Sequence, residues 1–302
     1  MRVMAPGKLL LAGAYAVLEG SPALVLAVDR YAVANDARWA ASPTPEVVAA
    51  LDGAPAPEFD ASSLRDGGHK LGLGSSAAIL VASLGLAYAR AGKPLADPVV
   101  RGELLTQARA AHSRVQEGGS GVDVAASVYG GVLAYTLVPD SAAHVEPLSL
   151  PRDVVVEVFW SGVPATTTSM RARVDALRIK DPRTHRARMD MVAAAARSSV
   201  LASRRGDGPG MLVAIRAGAH ALAALGREAD APIFPPMILA LVPLAERDDA
   251  AFLPSGAGGG DVFVHAGARP AGPAFTAAAL AVGMRRLPMQ LDQGGVRLLP
   301  DH

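Results

Sequence analysis

The chain has 302 residues and a net charge of +1, so it is long enough for two ordinary domains and carries no global field that would draw it to nucleic acid or an anionic membrane. Cysteine is absent, which excludes disulfides, thiol catalysis and cysteine metal sites, and an aromatic content of 4% argues against single-stranded nucleic-acid binding by base stacking. The start, "MRVMAPGKLL", lacks a signal-peptide core, and no uninterrupted apolar run reaches the roughly 18 residues that a membrane span needs. A soluble, alanine-rich cytoplasmic protein is expected.

In chain order, "RVMA" leads into "PGK", and the following stretch to "NDARW" reads as strands separated by turns. "ALVLAV" is a buried strand and the "EGSP" before it a turn. Residues 42–69 carry several prolines and glycines and little periodicity, which predicts an irregular connection with one short strand. Residues 75–91 read as a close-packed apolar helix. Residues 97–116 read as a second helix, with Asp97 as N-cap and Pro98 at its first position. "VDVAASVY" is a short helix and "GGVLAYTLV" a strand. After a boundary near Pro151, "DVVVEVFW" is a strand, followed by helices near 166–179, 184–204, 208–226 and 233–249. "PSGAGGGD" leads into the strand "VFVHAG", and a helix over 271–285 precedes a final strand or hairpin. Helices and strands mix without regular βαβ alternation, which favours α+β.

Four stretches invite a chemical reading. In "GLGSSAA", glycines and serines stand directly before a helix whose first amides have no partner within it. Such a loop suits a phosphate cradle, or an ordinary N-cap with glycines for packing. It is neither the nucleotide P-loop nor the dinucleotide fingerprint. "PSGAGGGD" holds so many small residues that its entropic cost calls for close backbone approach, or else marks a flexible turn. Lys8 of "PGK" stands at the edge of an apolar run, where it is either solvated or functional. Asp123 in "GGSGVDVAASVYGG" is embedded in small and apolar residues. Such a carboxylate needs a partner. It either caps a helix or pairs with Lys8, holding a base near a substrate hydroxyl.

"PGKLLLAGAYAVLEG", "GLGSSAA" and "PSGAGGGD", in this order, resemble the three signature motifs of the GHMP kinase superfamily. The "HKLGLGSSAA", "GSGVDVAASVYGG" and "WSGVPATTTSM" stretches are most similar to its phosphomevalonate kinase branch, with mevalonate kinase close behind. The resemblance implies an α+β, two-domain GHMP kinase fold. Residues 1–151 would form a mixed α+β nucleotide-binding domain and residues 152–302 a ferredoxin-like α+β domain, with the site between them. It implies ATP-dependent phosphorylation of 5-phosphomevalonate to 5-diphosphomevalonate, with ATP and Mg²⁺ as cofactors and a phosphorylated hydroxy acid as substrate, in a monomer or homodimer. The alternatives are a mevalonate kinase and a non-catalytic nucleotide or metabolite sensor.

By the same resemblance, Lys8 would stabilise the transferring group and Asp123, paired with it, would orient or deprotonate the acceptor. Lys70, Gly72, Leu73, Gly74, Ser75, Ser76 and Ala77 would bind ATP, with Ser75 or Ser76 near Mg²⁺. Ser120, Gly121, His69, Ser255, Gly256, Ala257 and Gly258 would line the substrate. The arginines of residues 169–190 read chiefly as solvated helix faces, with one or two meeting ligand. The chain departs from the family where "GAY" replaces a "GEY"-like triplet, placing Ala14 where a carboxylate is common. Where mevalonate kinase has a metal-binding glutamate, the comparable place is near His112, and Glu117 is the nearest carboxylate. Leu253 replaces a basic residue before the third motif.

Overall fold

The computed structural model describes residues 1–116, 118–138, 142–165 and 167–300. The order is β1 (Arg2–Ala12), a 3₁₀ turn over Ala16–Glu19, β2 (Ala23–Trp39), α1 (Pro45–Leu51), β3 (Pro57–Asp60), β4 (Arg65–Asp66), β5 (His69–Lys70), α2 (Ser75–Arg90), α3 (Pro98–Val115), α4 (Val122–Tyr129), β6 (Val132–Thr136) and β7 (His144–Leu148). Then follow β8 (Val155–Trp160), α5 (Thr167–Lys180), α6 (Pro182–Arg205), α7 (Gly208–Glu228), α8 (Pro236–Leu239), α9 (Val242–Arg247), β9 (Ala251–Pro254), β10 (Val262–Gly267), α10 (Pro273–Ala281), β11 (Arg285–Leu287) and β12 (Arg297–Leu298). The fold is α+β. The chain forms two compact units, one of Met1–Leu9, Val25–Pro147 and the segment from Gln290 on, the other of Leu10–Leu24 and Leu148–Met289.

The first unit is built on a sheet of order β12-β1-β2-β6-β7, with β3 beside β2. Helices α1 to α4 pack on one another. Every residue of α2 from Ala77 to Leu86 is buried, so this helix is apolar all round, as a core helix must be. Each buried leucine there contributes about 1.5–3 kcal/mol. Gly85 permits the close approach, since a Cβ on it would lie 2.9 Å from Val296 Cγ2 and 3.2 Å from Val3 Cγ1. Helix α3 starts as expected: Asp97 Oδ1 accepts from the amides of Val99 (2.7 Å) and Val100 (3.3 Å). Trp39 closes β2, 54% exposed, with the Arg90 guanidinium over its ring.

The second unit has an antiparallel sheet of order β11-β8-β10-β9. Phe159, Phe234, Phe252, Phe263 and Phe275, five of the chain's six phenylalanines, meet here in a cluster with centroids 5.0–6.2 Å apart. The edge-to-face contacts among them add to their apolar burial. Trp160 ends β8, half-buried beneath the Arg285 guanidinium. Among the described residues, α7 is the helix long and apolar enough to cross a membrane, yet 56% of its apolar window is buried within the fold, where it packs on α6, β9 and β10.

The "PGK" stretch lies in the middle of one continuous strand, β1. Three expected elements differ. The connection over residues 42–69 contains a helix, α1, capped by Thr44 with Pro45 at its first position, and the β4–β5 hairpin. The helix expected over 233–249 is two short ones, because Pro236 and Pro243 each open a new helix and cannot donate within the old one. The helix expected over 271–285 ends at Ala281, and Gly283, at φ 83°, turns the chain into β11.

Candidate active site

In the first unit, β1 and the glycine loop lie against each other. A Cβ on Gly7 would come within 2.8 Å of the Leu73 carbonyl oxygen, so only glycine allows this approach. The Lys8 amide donates to Leu73 O at 2.9 Å, and its Nζ donates to Gly72 O at 3.0 Å. Lys8 therefore holds the loop by both its backbone and its side chain.

The loop ends at Gly74, whose left-handed backbone (φ 76°) serves as the N-cap of α2 without a side-chain cap. The first-turn amides of Ser75, Ser76 and Ala77 are thus left uncapped by any side chain, at the positive end of the helix dipole. Ser75 and Ala77 are buried and Ser76 is partly exposed. A Cβ on Gly74 would lie 3.2 Å from both Asp123 Cβ and Lys8 Cγ. Lys8 and Asp123, 115 positions apart in the numbering, therefore both border this glycine.

Asp123 occupies the first turn of α4, behind Gly121 in the left-handed conformation (φ 73°). Its Oδ1 accepts from the Val124 amide at 3.0 Å, and its Oδ2 faces His112 Nε2 at 3.6 Å. One turn further, the Ser127 hydroxyl donates to Pro6 O at 2.7 Å. The loop before the helix is pinned by the Tyr135 hydroxyl, which donates to Ser120 O. Burial pushes the Tyr135 hydroxyl up to about 12, so it remains a donor through the neutral range. The sequence pointed to neither Ser127 nor Tyr135, and to the place of His112 only as one that lacks a metal-binding carboxylate. Ser127 follows Asp123 by four residues, the spacing that places both on one helix face. His112 lies on the buried face of α3 with Leu105 and Ala108, where a histidine reads as core.

The other expected residues are placed differently. His69 and Lys70 are exposed on the short strand β5, paired with β4. In the second unit, the Ser255 hydroxyl is buried and accepts from the Leu10 amide at 2.8 Å, and the Tyr15 hydroxyl donates to Ala257 O at 2.6 Å. Burial raises the Tyr15 hydroxyl well above its usual range. Gly256 and Gly258 adopt positive φ, and the Gly259 amide donates to Ile233 O at 3.0 Å. Asp261, which ends the third motif, accepts at Oδ1 from the Ala165 amide at 3.0 Å. It thereby ties that motif to the "WSGVPATTT" stretch. Ala14 is 5% exposed. Glu117 lies outside the described residues.

Four arginines of the basic run have acidic partners: Arg173 with Asp230, Arg178 with Asp175, Arg186 with Asp190 and Arg188 with Glu228. A cleft of 710 Å³ on this unit is lined by Arg178, Arg186, Arg197, Asp190, Glu19 and His185 among others, so it carries charges of both signs. Among the described residues, no three histidine, aspartate or glutamate side chains cluster as a metal site.

Residues 54–131 match the GHMP kinases N-terminal domain, a span that includes the glycine loop and Asp123. The chain is 31% identical to the phosphomevalonate kinase of Streptomyces sp. (strain CL190), over 85% of this chain and 87% of that one. It belongs to the phosphomevalonate kinase family. Its fold is similar to that of the Lin0012 protein from Listeria innocua, with TM-score 0.83 and 22% identity over 98% of each chain. It is also similar to a Streptococcus pneumoniae phosphomevalonate kinase solved with phosphomevalonate and AMPPNP, with TM-score 0.78 and 19% identity over 96% of this chain and 99% of that one. As a member of the phosphomevalonate kinase family the chain is a kinase, with the GHMP kinase fold.

Proposed function

We propose that this kinase transfers the γ-phosphoryl group of ATP to 5-phosphomevalonate, releasing ADP and 5-diphosphomevalonate. The observation that carries the reading is that Lys8 and Asp123 both border Gly74, the N-cap of α2. In the transfer, the bond between the γ-phosphorus and the bridging oxygen of ADP breaks, and a phosphate oxygen of the acceptor bonds to that phosphorus. With a second pKa near 6, the acceptor phosphate is mostly dianionic at neutral pH. The main obstacle is therefore repulsion between two anions rather than removal of a proton, and catalysis is positioning and charge neutralisation.

Each residue has a task in this scheme. The uncapped amides of Ser75, Ser76 and Ala77, with Gly72, Leu73 and Gly74, cradle the ATP phosphates. Lys70 approaches them from the hairpin and His69 serves the acceptor. Lys8 neutralises charge on the moving phosphoryl group. Asp123 orients the acceptor and takes the proton from any that arrives as a monoanion. Ser120 and Gly121 line the acceptor. Residues 1–151 supply the glycine loop and residues 152–302 the third motif, while Leu10–Leu24 belongs to the second compact unit and the segment from Gln290 on to the first.

The donor set fits ATP, since glycine backbone and an uncapped helix start are what phosphate oxygens require. For Mg²⁺ the fit is a sparse one: hydroxyls of Ser75 and Ser76, with no carboxylate cluster among the described residues. Mg²⁺ accepts this, because it keeps water and phosphate oxygens as ligands, and it would supply further neutralisation of the phosphates.

The test is ADP release by the purified protein with ATP and Mg²⁺, comparing 5-phosphomevalonate with mevalonate. Turnover on 5-phosphomevalonate is the expected result. Turnover on mevalonate only would make the chain a mevalonate kinase, and ATP binding without turnover on either would make it a sensor.

A further inference from the structure

We propose that His112 is a positioning residue for the reaction, holding Asp123 in the orientation that meets the acceptor. The proposal rests on Asp123 being the group that orients the acceptor, as argued above. His112 is 6% exposed, on α3, which packs against α4. It is walled by the loop before Asp123: a Cβ on Gly119 would lie 3.3 Å from His112 Cε1 and 3.4 Å from Nδ1. Its Nε2 faces Asp123 Oδ2, while its Nδ1 is buried with no hydrogen-bond partner among the described residues.

Those facts select one tautomer. With the proton on Nε2, the ring presents an N–H to the carboxylate and leaves only a lone pair on Nδ1. With the proton on Nδ1, a buried donor would be orphaned and a lone pair would face an anion, and both cost free energy. The two carboxylate oxygens are thus held from different elements. Oδ1 takes the Val124 amide of its own helix, and Oδ2 has the imidazole of α3. The 3.6 Å separation is longer than a hydrogen bond, and catalytic contacts of this kind tighten when substrate binds. Without His112 the carboxyl group is free to turn about its side-chain bonds, so turnover falls while ATP binding is retained.

The test compares kcat and the two KM values for the native enzyme and for His112→Gln, His112→Asn, D123N and His112→Asn combined with D123N. Gln places its amide nitrogen near the position of Nε2, and Asn places its own near Nδ1. Both are small and polar, and circular dichroism melting checks that they fold alike. His112→Asn is expected to lower kcat about ten- to a hundred-fold, the usual effect of losing an outer support, with KM for ATP unchanged. His112→Gln is expected to keep most of the activity, and His112→Asn is expected to cost nothing further once Asp123 is Asn. Equal activity of the Gln and Asn variants, or an equal loss in both Asp123 backgrounds, overturns the proposal. Full turnover by D123N would instead remove the role of Asp123 itself, so the two failures are distinguishable.

Discussion

Ser127 donates its hydroxyl to the Pro6 carbonyl at 2.7 Å, and this bond fastens the helix of Asp123 to the strand of Lys8. Ser127 lies one helical turn beyond Asp123, and Pro6 lies two residues before Lys8. The Ser127 side is buried, so the carbonyl depends on this donor. Replacing Ser127 by Ala is expected to cost about 1–3 kcal/mol, the usual penalty for a buried polar group left unpaired. Chemical denaturation would read it. A midpoint equal to that of the native protein would show that water replaces the hydroxyl. The same variant is expected to lower kcat more than KM for ATP, because Lys8 and Asp123, the two side chains proposed to act in the transfer, lose their common brace.

Asp123→Asn and Lys8→Met address the chemistry directly. Each is expected to lower kcat by about 10²–10³-fold while leaving ATP affinity within a few-fold, since the proposed cradle would hold the phosphates chiefly by backbone amides. Stopped-flow nucleotide binding alongside steady-state turnover separates the two effects. A Lys8→Met variant that lost nucleotide binding instead would make Lys8 a ground-state ligand.

Gly74 carries two constraints at once. Its φ of 76° disfavours any side chain, by about 1–2 kcal/mol, and a Cβ would press on both Lys8 and Asp123 at 3.2 Å. Gly74→Ala is therefore expected to lower the melting temperature and to abolish most turnover. Gly53→Ala, at an exposed turn with open space around the added Cβ, is the control for the backbone cost without the site. Similar losses of activity in the two variants would refute the site-specific part.

The pH dependence of stability has a named contributor in the second unit. His265 is 1% exposed, and burial holds its imidazole below the usual range, against the opposing pull of Glu157 and Asp248, with Arg286 acting in the same direction as burial. Above about pH 6.5 the group is neutral in both folded and unfolded chains. As pH falls below that value the unfolded chain takes up the proton first, so stability is lost from there down through the folded-state value. Melting temperature measured from pH 7.5 to pH 5 should fall, and His265→Leu should flatten the slope. An unchanged slope would assign it to other groups.

Much of this was legible because local signals were strong. Asp97 and Pro98 announce α3, and the glycines and serines announce the start of α2. The helix α1 carried the same kind of signal in Thr44 and Pro45, but it is only seven residues long and lies among turn formers, so its periodicity is too short to register. The run before β9 has helical composition throughout, and only the positions of Pro236 and Pro243 show that it is two pieces. For the candidate site, the motifs singled out Lys8, the glycine loop and Asp123, which the structure places beside one another. They marked the place of His112 only for its lack of a carboxylate, because nothing in a buried histidine on an apolar helix face reveals that the loop before Asp123 folds over it. Nor did they show that Ser255 and Asp261 are occupied with backbone amides, since an acceptor's partner is set by tertiary contacts.

The placing of the two tryptophans gives the chain a built-in optical probe for each of its compact units. Trp39 belongs to the first and is largely in water, whereas Trp160 belongs to the second and is half-shielded. Their emission maxima should differ, the exposed indole emitting further to the red. A Trp39→Phe protein therefore reports the second unit and a Trp160→Phe protein the first, without attaching a dye. Comparing the two during denaturation tells whether the units melt as one cooperative block or in sequence. The same pair, titrated with ATP, reports which unit feels the nucleotide.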